Sequence, residues 1–264
     1  ILEDREGNIW SGTNKAGLSR FNPKIEQFGH YRRDAFTPGS LSSNWVAAIV
    51  EDPQGDLWVG VDSEGINRFN KKTQQFEHYS INKTNPENIS NNWVNAITKD
   101  HQGNIWFSTR SALNKFTLKT EVFSTYRHNL DDSDSLGSRG IQAITEDSQN
   151  NLWVGTANGL DYFLPKTAKF RTYQHSEVNL NSLSHNHVLA ITEDNQKNLW
   201  VATVEGLNYF NPKTEVFTHY RHDMTQPNSL SHNYISSIAL DDEGNLWVGT
   251  MKGLNLMDMK SGEF

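Results

Sequence analysis

The hexapeptide Asn-Leu-Trp-Val-Gly-Thr occupies residues 151–156 and returns at 245–250. Close copies stand at 8–13, 56–61, 104–109 and 198–203, which sets a Trp at 10, 58, 106, 153, 200 and 247. The steps between them are 48, 48, 47, 47 and 47 residues. A period of this size means one supersecondary unit repeated and stacked, because a single unit cannot bury its own apolar face. Within each copy, short β-rich runs alternate with Gly, Asn, Asp, Pro and Lys clusters, as in Ser40–Tyr79. That pattern reads as four strands and their turns, and no helical period of comparable length competes with it.

The turn chemistry agrees. The hairpin before each hexapeptide needs one residue at positive φ, and that slot holds Gly7, Gly55, Gly103, Asn150, Lys197 and Gly244. Gly and Asn tolerate this conformation, so Lys197 is the misfit and is expected to be strained. Trp10, Trp58, Trp106, Trp153, Trp200 and Trp247 are the expected structural rings of the repeat. Two residues after each comes a small one: Gly12, Gly60, Ser108, Gly155, Ala202 or Gly249. A large ring beside a small neighbour on one strand face lets layers interdigitate. Burying one indole removes on the order of 200 Å² from water, worth roughly 5 kcal/mol as an upper estimate. Four strands per 47–48 residues with ring-rich packing read as an all-β fold, a β-propeller of six four-stranded blades, spanning 1–264 as one domain.

The stretches "SLSHNHVLAITEDNQKNLWVATVEGLNYFNPKT" (182–214) and "SLSHNYISSIALDDEGNLWVGTMKGLN" (229–255) resemble the repeat of the two-component regulator propellers. The resemblance covers essentially the whole chain. It implies the extracytoplasmic sensor region of a bacterial histidine kinase, hybrid kinase or diguanylate cyclase. The kinase or cyclase would lie outside this chain, in downstream signalling domains of the same membrane-anchored polypeptide, and the location would be periplasmic. Ile1 aligns with Ile49 and Phe264 with Phe217, leaving about 20 residues for a return to the start. The chain therefore reads as cut mid-blade at both ends, and an excerpt of a seven-bladed propeller is the alternative.

Composition narrows the function. Net charge is −7 with no basic block, which argues against nucleic acid as a partner. No apolar run approaches the roughly 18 residues of a membrane span, so no membrane contact is expected of this segment. There is no cysteine, hence no disulfide and no thiolate metal site, which suits an oxidising compartment.

The length variation within the repeat lies between the second and third strands. The turns at 13–18 and 61–66 carry one residue more than that at 156–160, and 109–113 lacks the Gly. In a propeller these turns share a face with the "SLSxN" loops, and binding residues gather on loops held by a rigid scaffold. The slot after "SLSxN" varies as Trp45, Trp93, Gly140, His187 and Tyr234. Trp45, Trp93, His187 and Tyr234, with Arg110 and Arg139 on the same face, are the candidate ligand-binding residues. The ligand they suit is a carbohydrate or another small amphipathic molecule. Ordinary strand-end packing and solvated loop arginines are the bland readings of the same residues.

Other motifs point away from chemistry. His30, His78 and His219 sit in "FxHY", and His128, His175 and His222 follow the Tyr, all locked to the repeat. His185, His187 and His232 are the set that could approach one another, but no carboxylate stands beside them as a base. "DDSDS" (131–135) lacks the Gly and closing Glu of a calcium loop. Asp4, Asp52, Asp100, Asp147, Asp194 and Asp241 recur with the turns, which favours capping over catalysis. The reading is no catalytic residue, no metal and no cofactor. A streptogramin lyase-like propeller enzyme is the runner-up, and a protein–protein interaction platform, with a possible homodimer, the third reading.

Overall fold

The computed structural model describes residues 1–81, 88–259 and 261–264. Its regular elements are all β-strands, and the fold is a six-bladed β-propeller. Five blades are four-stranded antiparallel sheets with strands in chain order; the sixth has three strands among the described residues. Blade 2 shows the pattern, with strands Val46–Glu51, Leu57–Val61, Gly65–Asn70 and Gln75–Tyr79. Two compact units contain the blades: Ile1–Arg127 holds blades 1–3 and His128–Phe264 holds blades 4–6. In the sixth blade, the Phe264 amide donates to Asn228 O at 3.0 Å, as Phe217 does to Asn181 and Phe170 to Asp134. The outer-strand register thus persists to the last residue.

The second strands Leu57–Val61, Ile105–Thr109, Leu152–Thr156 and Leu199–Thr203 are buried at every position. Strands covered on both faces read as continuous apolar runs, which is what the hexapeptide is. In the first unit, the Trp10 indole stacks on Tyr31 of its own blade and meets Phe69 of the next blade edge-on, with centroids 5.6 and 5.8 Å away. Trp58 repeats this with Tyr79 and Phe116. In the second unit, Trp153 meets Phe210 at 5.6 Å. Each of these indoles therefore joins two blades.

The small residue after the Trp has a different cause from the one its sequence neighbour suggests. A Cβ on Gly12, Gly60 or Gly155 would stand 2.5–2.6 Å from Cγ1 of Val46, Val94 or Val188. These valines open the first strand of the following blade. A bulge directly after each, seen as a register shift between Val46 and Ala48 and between Val188 and Ala190, bends that strand at this point. The neighbouring blade, and not the adjacent indole, excludes a side chain here.

The six predicted turn residues all have positive φ, Lys197 among them at 67°. Asp4, Asp52, Asp100, Asp147 and Asp241 cap these turns. In each, Oδ1 accepts the amides two and four residues on, and Oδ2 accepts the Trp indole N–H six residues on, at 2.7–3.0 Å.

Candidate functional site

The "SLSxN" loop is fixed by its backbone and by short polar side chains. Ser43, Asn91, Ser138, His185 and His232 each accept the amide two residues ahead, that of Trp45, Trp93, Gly140, His187 or Tyr234. His185 and His232 are thus turn caps whose Nδ1 is an acceptor. Burial lowers the His185 pKa further, which keeps that nitrogen free to accept. The repeat-locked histidines that follow the Tyr have partners in the scaffold: Nδ1 of His128, His175 and His222 bonds the carbonyl of Leu136, Leu183 and Leu230 at 2.6–2.7 Å. Among the described residues, no group of three His, Cys, Asp or Glu is arranged to hold a metal.

In four of its five copies the variable slot has the same backbone role. The carbonyls of Trp45, Gly140, His187 and Tyr234 accept the amides of Asp62, Ala157, Val204 and Met251 at 2.8–3.3 Å. The main chain is held while the side chain is free to differ, which explains a slot that reads so differently from copy to copy.

In the first unit this arrangement opens a cleft of about 450 Å³ around Trp45. Its walls are the two lengthened turns, which contribute Asn14 and Lys15 from one blade and Asp62, Ser63 and Glu64 from the next. Ser43, Asn44 and Arg33 complete it. Trp45 is 45% exposed. Asn44 Oδ1 accepts the Arg33 amide at 2.8 Å, which ties the loop to the outer strand's exit. Ser63 is held at φ 64° on the rim. The Asp62 Oδ1 atom is buried and has no hydrogen-bond partner. Two cations face two carboxylates, so the charge is balanced and the surface is rich in donors and acceptors.

The other candidates do not join this cleft. Trp93 carries the Arg110 guanidinium 3.4 Å above its ring, a stacked cation–π pair that covers one indole face. Arg139 is exposed and stands where Asn44, Asn92, Asn186 and Asn233 receive the amide of the preceding outer strand's exit in other blades. His187 and Tyr234 are half-buried in consecutive blades of the second unit, and His187 Nε2 is buried without a partner. Sequence reasoning flagged the lengthened turns but named none of their residues. Lys15, Asp62 and Glu64 were within reach of that signal; Arg33 was not, because only the loop's path brings it in.

No curated protein matches the chain. The chain is similar to the extracellular domain of the putative hybrid two component system BT3049 from B. thetaiotaomicron, at 23% identity and a TM-score of 0.72, over 97% of this chain and 39% of that one. It is similar to PorZ of Porphyromonas gingivalis, a surface component of the type-IX secretion system, at 20% identity and a TM-score of 0.70, over 96% and 37%. The chain spans about two fifths of the length of these structures. Virginiamycin B lyase from Staphylococcus aureus shares the fold at 18% identity and a TM-score of 0.72, over 100% and 82%. The model of the two component regulator propeller matches residues 40–63, 88–111, 135–158, 182–205 and 229–252. Each match runs from the loop through the first two strands to the turn beyond, the stretch that builds the face described above. Five of the chain's six repeats are thus repeats of the two component regulator propeller family.

Proposed function

We propose that this propeller is a non-catalytic sensing module and that its cleft at Trp45 takes a small, neutral, polyhydroxylated molecule such as a short oligosaccharide. The observation that carries the reading is the half-exposed indole beside a buried, unpartnered carboxylate oxygen of Asp62. An aromatic face offers stacking to the C–H side of a sugar, and Asp62, Glu64, Asn14 and Asn44 offer acceptors and amides to its hydroxyls. Balanced charge disfavours a strongly ionic ligand. The family repeat supports a place in the extracytoplasmic part of a longer, membrane-anchored signalling protein, with output domains elsewhere in the polypeptide. None of the described residues is a long apolar helix able to cross a membrane.

A thermal-shift screen against neutral plant, algal and host oligosaccharides tests the reading. A stabilising sugar whose effect disappears in Trp45→Ala and in Asp62→Asn supports it. A hit that survives both variants moves the site elsewhere. The lyase-like alternative is checked on the same sample: a cyclic depsipeptide stays intact under the sensing reading, and a ring-opened product contradicts it.

A further inference from the structure

A second cleft lies in the second unit, on the hairpin side of blades 4 and 5. Within each unit, the residue after a blade's third strand lies over the groove toward the preceding blade. In the first unit, at blades 1 and 2, this residue is Lys71, whose ammonium bridges Asp4 and Glu51 at 2.7 and 2.8 Å. At blades 2 and 3 it is Leu118, and at blades 5 and 6 it is Met259, each packed on the Trp cluster of its groove. At blades 4 and 5 the same position holds Pro212, the residue that blades 1 and 4 also carry there as Pro23 and Pro165. Its short ring does not reach as far as those three side chains, and a cleft of about 480 Å³ remains.

The walls of this cleft also depart from the repeat. The residue paired with the Trp on the third strand is Arg20, Arg68 or Lys115 in blades 1–3, each with its cation over the indole at 5.1–5.9 Å. In blade 4 it is Tyr162, 4.8 Å from Trp153 between ring centroids, with its hydroxyl donating to Asn151 at 2.9 Å. The cleft is therefore walled by the half-buried rings of Tyr162 and Tyr173 against the edge of Trp153.

Its mouth is cationic. Lys197 and Lys213 both line it, and among the described residues neither side chain has an ion pair or hydrogen bond. Arg171 lines it too, but is held by a two-pronged pair with Glu215 at 2.5 Å. Asp147, behind the indole, has both oxygens engaged by Gln149, Asn151 and Trp153. Lys197 is the residue at φ 67° where the other blades place Gly or Asn. A long cationic side chain kept in a conformation that disfavours it, at the mouth of a cleft, points to use rather than drift.

We propose that this cleft binds a small ring-bearing carboxylate, with its ring against Tyr162 and Tyr173 and its carboxylate between the ammonium groups of Lys197 and Lys213. An aromatic acid and a uronate share that chemistry. Titration calorimetry of the whole chain with 4-hydroxyphenylacetate and with galacturonate separates the two sources, and galactose serves as the uncharged control. The expected result is binding of one acid or both and none of galactose. The affinity should fall about tenfold or more in Lys197→Gly, the scale of one lost charge-assisted contact. Pro212→Leu, which adds a groove-filling side chain like Leu118, should abolish binding while leaving every polar group in place. Lys197→Gly should melt no lower than the parent, because Gly accepts this φ without strain, so lost binding there is not lost folding. Trp45→Ala should leave the acid bound, which keeps this site separate from the cleft at Trp45. Failure of both acids to bind, equal binding of galactose, or unchanged binding in Lys197→Gly and Pro212→Leu overturns the proposal.

Discussion

The indole N–H of Trp58 donates to Oδ2 of Asp52 at 3.0 Å, from six residues further along the chain. Asp52 is fully buried and also holds the turn between them, through the amides of Gln54 and Asp56. Arg68 completes the group with a cation 3.7 Å from the same carboxylate. Removing the carboxylate strands two amides and an indole N–H together, while Arg68 keeps its 3.1 Å pair with Asp56. Asp52→Ala should therefore cost about 2–4 kcal/mol in urea unfolding. Asp52→Asn, which keeps an acceptor oxygen, should cost less. Asp241→Ala should cost less than either, because Asp241 and Trp247 are much more open to water.

Blade 5 breaks the pattern. Asn198 donates its side-chain amide to the Tyr209 hydroxyl at 2.7 Å, and neither Asp194 Oδ2 nor Trp200 Nε1 has a hydrogen-bond partner. An indole N–H without an acceptor is less protected. In hydrogen exchange followed by NMR, the Trp200 indole proton should exchange ahead of those of Trp58 and Trp153, although all three rings are equally buried.

The Lys71 bridge makes part of the stability depend on acid. Burial pushes the Asp4 carboxyl up, but the Lys71 ammonium, the Trp10 indole and Asn8 together hold it well below the usual carboxylate range. A depressed folded pKa contributes stability above the unfolded value of about 3.9, and that contribution is lost as pH falls below it. Lys71→Met keeps a groove-filling side chain and removes the cation. It should cost about 3 kcal/mol at pH 7, the lower end of the scale for a broken buried pair, and clearly less at pH 3. Paired urea titrations at the two pH values check this.

Asp161 has the opposite sign. In blades 5 and 6 this position is Asn208 or Asn255, which accepts a loop amide and donates to a Ser hydroxyl and to a backbone carbonyl. Blade 4 has Asp161 opposite Gly137: Oδ2 accepts the Gly137 amide at 2.8 Å, and Oδ1 is buried with no partner. Burial pushes this carboxyl up to about 6. The protonated form is the one the fold prefers. Its contribution is fully present below about pH 4 and is lost as pH rises through about 6, on the order of 3 kcal/mol across that window. Asp161→Asn should remove the slope and raise stability at pH 8, read from urea midpoints at pH 4.5 and 8.

Most of the fold was legible because it rests on periodic, local signals. The Trp spacing fixes the blade, and Gly7, Gly55 and Asn150 mark turns whose backbone admits few residues. The strained Lys197 was visible for the same reason. What was not legible depends on contacts between repeats. Gly60 is small because Val94 of the next blade presses on it, a relationship about 34 residues away in sequence. Arg110 covering Trp93 lies within one blade, but it joins two loops in a way that spacing does not reveal. The Trp45 cleft was half legible: its turns stood out by length, while the pairing of Asp62 with an open indole needed coordinates.

The most direct test of the sensing account is the NMR signal of the Trp45 indole during titration with an oligosaccharide that raises the melting temperature. The account predicts that this signal moves in proportion to occupancy while the indole signals of Trp10, Trp58 and Trp153, each bound to an Asp, stay in place, and that Trp45→Ala no longer binds. A stabilising sugar that leaves the Trp45 signal unmoved would contradict it.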